Sequence, residues 1–453
     1  MRSIDHRSAT CGQPRRQRGA VAIIVALSLV AMIGFMGLAI DGGHLYLTKT
    51  ELQNAADGCA LAAAYELTGT TIPPEAFQRA EAAGRLVAQQ NRTDFQSTAV
   101  SASQVSVEYN SVLTGGAWVT AAGSPSGTSK YVRCVIQRTG IAPYFMRTLG
   151  IGDQVVTSLA TATLAPAQSN CAVPMGLCVV GGGTAPNFGY TPGNWYGLDF
   201  QDTGGAANYT GNFRWIDFDP GSPTPGCSGS GAQELSCIMA GAGQCSLPAP
   251  ITGSCASSGS ASPTPGCVGQ NGNVASMETS YNSRFGVYRG GAGNPQKTTA
   301  APDITGQSYA WEGGVGNWSL GRNAYSGTSG TTPNFAAARA AHLATENVTG
   351  LNPAFYANPY SPSTAADHIA YGADRRLVTA PIVDCAGFGS GQHAPIRGYA
   401  CILLLDPYRT QGNDVKSKFE YLGRSNVAGS PCATSGIAGN LSSQGPMVPA
   451  LVQ

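Results

Sequence analysis

The chain has 453 residues, a net charge of +1, 60 Gly, 28 Pro and only 11% charged residues. Near-neutrality supplies no basic surface for nucleic acid, and so many turn formers among so few charges argue against a helical enzyme core. The composition suits two or three domains dominated by a loop-rich, β-leaning exterior part.

The first 19 residues carry Arg2, Arg7, Arg15, Arg16 and Arg18 against Asp5 alone. Ala20 to Ile40 then runs 21 residues without a charge, which at roughly 1.5 Å per helical residue spans a ~30 Å hydrocarbon layer. Its eleven Val, Ile, Leu and Phe residues each favour insertion by about 0.3 to 0.6 kcal/mol near the helix centre, outweighing Ser28, Gly34 and Gly37. A basic cluster beside a span stays in the cytoplasm, so the 413 residues from Asp41 onward are expected on the far side of the membrane. The total of +1 less the tail's +4 leaves −3 for the remainder. The apolar run exceeds the ~7 to 15 residue core of a cleaved secretory signal and no A-x-A site follows directly, so a retained single-pass anchor is expected. Gly34 and Gly37, with Ala22 and Ala26, have the small-residue spacing that admits a second transmembrane helix, although small residues are common in any such segment.

After Asp41-Gly42-Gly43, the segment from His44 to Leu67 repeats Leu45, Leu52 and Cys59 every seven residues, with Ala56 and Ala63 on the same side. It reads as an amphipathic helix that continues the apolar one and packs on a small antiparallel sheet. Paired glycines cost a helix roughly 1 kcal/mol each, so they are expected to kink the junction or to separate two helices at the membrane surface. Pro73-Pro74 stops that helix and a second begins at Glu75, with Phe77, Ala80, Gly84 and Val87 on one side. Strands are predicted at Gln104 to Tyr109, Ala117 to Ala121, Tyr131 to Gln137 and Val155 to Leu164, with a short helix in the intervening IAPYFMRTLG. Helices followed by a small antiparallel sheet make residues 41–166 an α+β domain. Residues 167–453 form a second, Gly/Pro-rich, mostly β, disulfide-containing domain, with clear strands only at RWIDF, RRLVTAPIVDC, YACILLLD and FEYLG. The hexapeptide SPTPGC occurs at Ser222 to Cys227 and Ser262 to Cys267, a candidate small duplication; two copies do not establish a repeat architecture.

Of 13 cysteines, Cys11 falls on the reducing side, leaving twelve in an oxidising compartment. Neighbour spacing offers Cys171 with Cys178, Cys227 with Cys237, Cys245 with Cys255, and Cys385 with Cys401 as candidate bridges. Cys59, on a predicted helix beside Ala60, is a candidate buried free thiol. No C-x-x-C pair occurs and the five histidines are dispersed, so no metal or other cofactor is expected. No G-x-S-x-G, H-E-x-x-H, phosphate loop or dinucleotide fingerprint is present. Asp217 and Asp219 form an acid pair able in principle to do acid–base work or to bind calcium, yet Asp-Pro-Gly is an ordinary turn. His44 beside the membrane is a candidate pH sensor, and His342, His368 and His393 have no spacing that predicts a cluster; structural roles are expected for all four. Trp195, Trp215, Trp311 and Trp318 lie among glycines, either as a sugar- or surface-binding patch or, more commonly, as core.

The segment from Arg15 to Leu67 resembles the N-terminal signature of TadG-like proteins of the Tad (Flp) pilus-assembly system, in Gly19, Ala20, Asp41, Gly43, Leu52, Gln53, Ala55, Ala56, Asp57, Ala60, Leu61 and Ala62. Tyr131 to Leu164 is similar to the rest of that family's N-terminal region, so the resemblance covers about a third of the chain. It implies a non-enzymatic, envelope-anchored component of a pilus machine that mediates adherence, with other Tad assembly proteins as partners and no statement about oligomeric state. The alternative is an adhesin displayed through the second domain. Some relatives carry a von Willebrand A-type domain with a D-x-S-x-S metal motif, which is missing here. The related pilin-like members are cut after a glycine and keep a glutamate at the fifth mature position. A cut after Gly19 would place Ile24 there, which cannot pair with a neighbouring amino terminus, so an uncleaved anchor is expected.

Overall fold

The computed structural model describes residues 18–68, 71–199, 213–218, 227, 231–255, 265–270, 277–291, 293–305, 309, 323–327, 333–343, 359–388, 393–407, 416–439 and 443–452. Cys11, Asp219, Trp311, Trp318, most of the first SPTPGC copy and half of the second lie outside these residues. The chain divides into two compact units: residues 1–164 with 449–453, and residues 165–448.

The first unit is built on α1 (Arg18–Tyr65), one unbroken helix of 48 residues. The apolar segment continues into the amphipathic one as expected, and of the two outcomes offered at Asp41-Gly42-Gly43 separation into two helices does not occur. Gly42 and Gly43 face open space, where a Cβ would meet nothing within 4 Å, and the helix on either side of them is held by other forces. From Val21 to Ile40 every residue except Gly37 is exposed. From Asp41 on, burial recurs at Asp41, His44, Thr48, Leu52, Ala55, Ala56, Cys59, Ala60, Ala63 and Ala64, the three- and four-residue period of a helix with one face on a core. The second helix, α2 (Pro74–Gln90), buries Ala76, Phe77, Ala80, Gly84 and Ala88.

These helices cover a sheet of β3 (Val105–Asn110), β4 (Val119–Thr120), β5 (Tyr131–Ile141) and β6 (Gln154–Ser169), in the order β6-β5-β3-β4 and antiparallel throughout, preceded by a two-strand ribbon of β1 (Arg92–Thr93) and β2 (Thr98–Ala99). Val105, Val107 and Tyr109 alternate inward on β3 as Val132, Cys134 and Ile136 do on β5, and they meet Leu52, Ala56, Cys59, Phe77 and Ala80 in one core. Helix–helix approach is close because Gly84 has no side chain: a Cβ there would stand 3.0 Å from Cys59 Sγ and 3.1 Å from the Cys59 carbonyl. Cys59 is no free thiol. It is bonded to Cys134, which joins α1 to β5 through the middle of the core. The short helix expected between β5 and β6 is a single 3₁₀ turn, Met146–Leu149.

The second unit contains β7 (Met175–Cys178), β8 (Trp195–Asp199), β9 (Phe213–Asp217), α3 (Ala232–Ala240), β10 (Cys267–Gln270), α4 (Met277–Ser283), β11 (Val287–Arg289), α5 (Phe335–Ala340), β12 (Tyr360–Pro362), α6 (Ala365–Tyr371), β13 (Leu377–Val383), β14 (His393–Leu404), β15 (Lys416–Arg424) and β16 (Ala433–Ala438); β17 (Met447–Leu451) follows and pairs with β6. Its main sheet runs β10-β9-β7-β13-β14-β15-β8, and β10 also pairs with β14, so β9, β7, β13, β14 and β10 close into a barrel-like ring. All seven residues of β13 are buried, as suits a strand packed on both faces. Neighbours on one strand therefore enter different cores, Trp215 and Ile382 in one and Ile216 and Val383 in another.

This topology also decides the disulfides. Of the four neighbour pairs expected, only Cys227 with Cys237 is present. Cys171 is bonded to Cys245, Cys178 to Cys385, Cys255 to Cys267 and Cys401 to Cys432. The pairing of β7 with β13 sets Cys178 opposite Val383, two residues from Cys385, and a bridge between Ala172 and Gln244 brings Cys171 to Cys245. Cys401 lies opposite Thr379, six residues before Cys385 and thus roughly 20 Å along an extended strand, which excludes a Cys385 to Cys401 bond.

Candidate functional site

Asp41 is the first residue after the apolar span and its side chain is only 1% exposed. One carboxylate oxygen accepts the backbone N–H of Tyr144 at 2.7 Å; the other accepts those of Phe145 at 2.9 Å and Met146 at 2.6 Å. These N–H groups open the 3₁₀ turn, where a short helix has no carbonyl partners of its own, so a carboxylate from α1 supplies what the local chain cannot. Burial pushes the Asp41 carboxyl upward, but the three N–H bonds, from Met146, Tyr144 and Phe145, with His44 nearby, outweigh it and hold the group below the usual carboxylate range. It is a charged staple between the end of the span and the β5–β6 loop.

One turn further, buried His44 Nε2 lies 2.7 Å from Asp94 Oδ1 in the β1–β2 turn, and Arg138 Nη2 of β5 lies 3.4 Å from the other Asp94 oxygen while also bonding the Thr93 hydroxyl. The His44 ring stacks on Phe95 with centroids 5.6 Å apart and sits 5.2 Å from Tyr144. Gln96 donates to Glu51 at 3.0 Å. Asp94, Phe95 and Gln96 have φ of 62°, 54° and 62°, a left-handed run that costs about 1–2 kcal/mol per residue and that His44, Arg138 and Glu51 hold in place. Further along α1, Gln53 donates to Asp57 and to the Leu159 carbonyl, both at 2.9 Å, and the Ser158 hydroxyl donates to the Lys49 carbonyl at 3.2 Å.

The signature positions therefore do different work on one helix. Asp41 fixes the β5–β6 loop, Gln53 with Asp57 ties the helix to β6, and Leu52 and Ala60 fill the core, with half-buried Leu61 packed against it. Gly43 is exposed, and the side chains of Gly19 and Ala20 lie outside the described residues. Gly37 is not free for a second transmembrane helix: a Cβ there would stand 2.6 Å from Phe145 Cβ, so the loop itself covers it. Asp94, Arg138 and Tyr144 to Met146 escaped sequence reasoning. The one available signal was an acid placed directly at the end of an uncharged span, where only a specific partner justifies it.

In the second unit the histidines are scattered. His368 is buried with Nδ1 2.6 Å from the Asp303 carbonyl, His393 lies on β14, and His342 is exposed after α5. Asp217 ends β9, Trp215 is core, and Trp195 Nε1 donates to Glu420 at 3.0 Å. Buried Glu420, which also accepts the N–H groups of Ala324 and Tyr325, has its carboxyl pushed up by burial to about 7. Arg284 and Arg375 donate to the Met239 and Ala240 carbonyls at the end of α3, so these buried cations serve as helix caps. A cavity of 570 Å³ beside α3 is lined by small neutral groups such as Gln233, Ser236, Ser280 and Asn294. Among the described residues, no group of three or more His, Cys, Asp or Glu is placed to hold a metal ion.

The helix carrying the staple is long and apolar enough to cross a membrane, with a mean hydropathy of 2.7 over its most apolar stretch and only 6% of that stretch buried, unlike the core helix of a water-soluble fold. Residues 19–66 match the Tad family model, described as putative Flp pilus-assembly TadE/G-like. The match begins at the base of the span and ends at the last turn of α1, so it covers the anchor, the Asp41 staple and the Gln53 contact together. Residues 19–66 are thus similar to the segment shared by TadE/G-like proteins of Flp pilus assembly. No curated protein and no solved structure matches the chain.

Proposed function

We propose that the protein is a non-catalytic structural component of a Tad/Flp pilus-assembly machine, retained in the inner membrane by residues 20–40 with its N-terminus in the cytoplasm and residues 41–453 in the periplasm, and that it supports adherence. The observation that carries this reading is the coincidence of the TadE/G-like match with a helix that is exposed and apolar up to Ile40 and packed into a folded unit from Asp41 onward. The basic tail before the span and six disulfides after it support the same orientation. Ile24 in place of a glutamate supports a fixed component over a polymerising one.

Its partners are other Tad assembly proteins. A strain lacking the gene should fail to display Flp pili, and a chain without residues 1–40 should not restore them. Normal piliation and attachment in the deletion strain would overturn the proposal. Protease added to intact cells should leave residues 41–453 uncut until the outer membrane is opened; cleavage in intact cells would favour a surface-displayed adhesin instead.

A further inference from the structure

Three large apolar side chains stand exposed around the point where α1 leaves the span: Phe95 on the β1–β2 turn, and Tyr144 and Phe145 on the β5–β6 loop. They are held there. His44 lies against both Phe95 and Tyr144, Asp41 clamps the N–H groups of residues 144–146, and a left-handed backbone holds the Phe95 turn. Rigid presentation of exposed aromatic rings from a costly backbone has no explanation in the unit's own core.

Their depth is set by the helix. Phe145 Cβ packs against Gly37, three residues before Ile40, which at 1.5 Å per residue puts that contact ~4.5 Å inside the outer end of the apolar segment. Tyr concentrates at the headgroup level of bilayers, where its apolar ring and hydroxyl are both satisfied, and Phe on an interfacial face inserts at the boundary between headgroups and acyl chains.

We propose that the β1–β2 turn and the β5–β6 loop form a foot on which the first unit rests in the phospholipid interface of the leaflet that α1 exits, with Phe95, Tyr144 and Phe145 inserted among headgroups and upper acyl chains. The inference rests on residues 20–40 spanning the membrane and adds a second contact, one that restrains the unit's tilt about the helix. Exposed Arg147 in the same loop is placed to meet lipid phosphate. The occupant is lipid, because the surface is continuous with a helix face that itself requires lipid from Val21 to Ile40.

The full chain in phosphatidylcholine/phosphatidylglycerol nanodiscs tests this, with lipids brominated near the glycerol end of the acyl chains as the quencher. Phe35→Trp reports the span, Phe95→Trp and Phe145→Trp report the foot, and Val112→Trp, beyond the opposite end of β3, is the control. After subtraction of the unsubstituted chain, emission from the first three should be lost in brominated discs and that of Val112→Trp retained. Quenching of Phe35→Trp with Phe95→Trp and Phe145→Trp no different from Val112→Trp would overturn the foot while leaving the anchor intact, and would point to a protein partner on this surface. An unquenched Phe35→Trp would overturn the spanning anchor and the foot with it. The unsubstituted chain supplies a second measurement that no variant can spoil. Phe95 and Tyr65, at the far end of α1, are equally exposed at 64%, so hydroxyl-radical labelling in nanodiscs should mark Tyr65 and spare Phe95. Equal labelling counts against the foot.

Discussion

Replacing Cys59 and Cys134 together by alanine removes the covalent link between α1 and β5 and tests whether the first unit depends on an oxidising compartment. The bond closes a loop of 75 residues. In the chain-entropy description that closure restricts the unfolded state by about 4.5 kcal/mol at 25 °C. Both side chains are fully buried and Cys59 Sγ sits in the α1–α2 contact next to Gly84, so the double variant also leaves a small void, which adds to the loss. Hydrogen exchange followed on peptides covering Leu52–Ala64 and Tyr131–Ile141 in detergent-solubilised full chain reads the opening free energy of this unit without contribution from residues 165–448. A loss of that size corresponds to roughly a thousandfold fall in protection. A fall of tenfold or less would refute the reasoning, because it would show that helix–sheet packing alone, or residual structure in the unfolded segment, restrains residues 59–134 as well as the bond does.

Asp41→Asn should speed exchange at the amides of residues 144–146, because an amide cannot accept three N–H bonds, while the chain stays in the membrane fraction. In the unsubstituted chain the lowered Asp41 pKa means that this protection is complete above the usual carboxylate range and is lost as pH falls through the lowered folded value; protection there, relative to intrinsic exchange, that does not change with pH would contradict an ionised staple. Gly84→Leu should destabilise the first unit by about 1–3 kcal/mol, read as a lower urea midpoint, since the added side chain meets the Cys59 carbonyl and Ala63 Cβ. Glu420→Gln should make the second unit less sensitive to pH. With its folded pKa raised to about 7 from 4.5, Glu420 destabilises increasingly as pH rises from the unfolded value to the folded one, by roughly 3 kcal/mol in all. The stability difference between variant and parent should therefore grow in the variant's favour from pH 4 to pH 8, and a constant difference would show that Glu420 does not titrate with folding.

Much of the first unit was legible because its elements are strongly periodic. The seven-residue recurrence of Leu45, Leu52 and Cys59, the Phe77, Ala80, Gly84 and Val87 face of α2, and the inward alternation of β3 and β5 all reflect local geometry against a single core, and each survives in the structure except that Leu45 and Val87 are only half-buried. The glycine pair misled because propensity is a small term: about 1 kcal/mol per glycine is outweighed when Asp41 is bonded on one side and the Leu52 to Ala64 face is buried on the other. Strands such as β7 and β10 were not visible among their glycines, since short segments buried on both faces carry no alternation.

By itself the sequence determined an apolar run long enough to cross a bilayer, the direction of the charge bias, the helices that follow and a signature similar to that of TadE/G-like proteins, because each depends on composition or on contacts a few residues apart. Tertiary structure alone decided which cysteines meet, which loop covers Gly37, what Asp41 holds and why Phe95 stands outside the core. Those outcomes join residues dozens to hundreds of positions apart, as Asp41 meets residues 144–146 and Cys178 meets Cys385. Strand order and register bring such partners together, and neither is written in local periodicity.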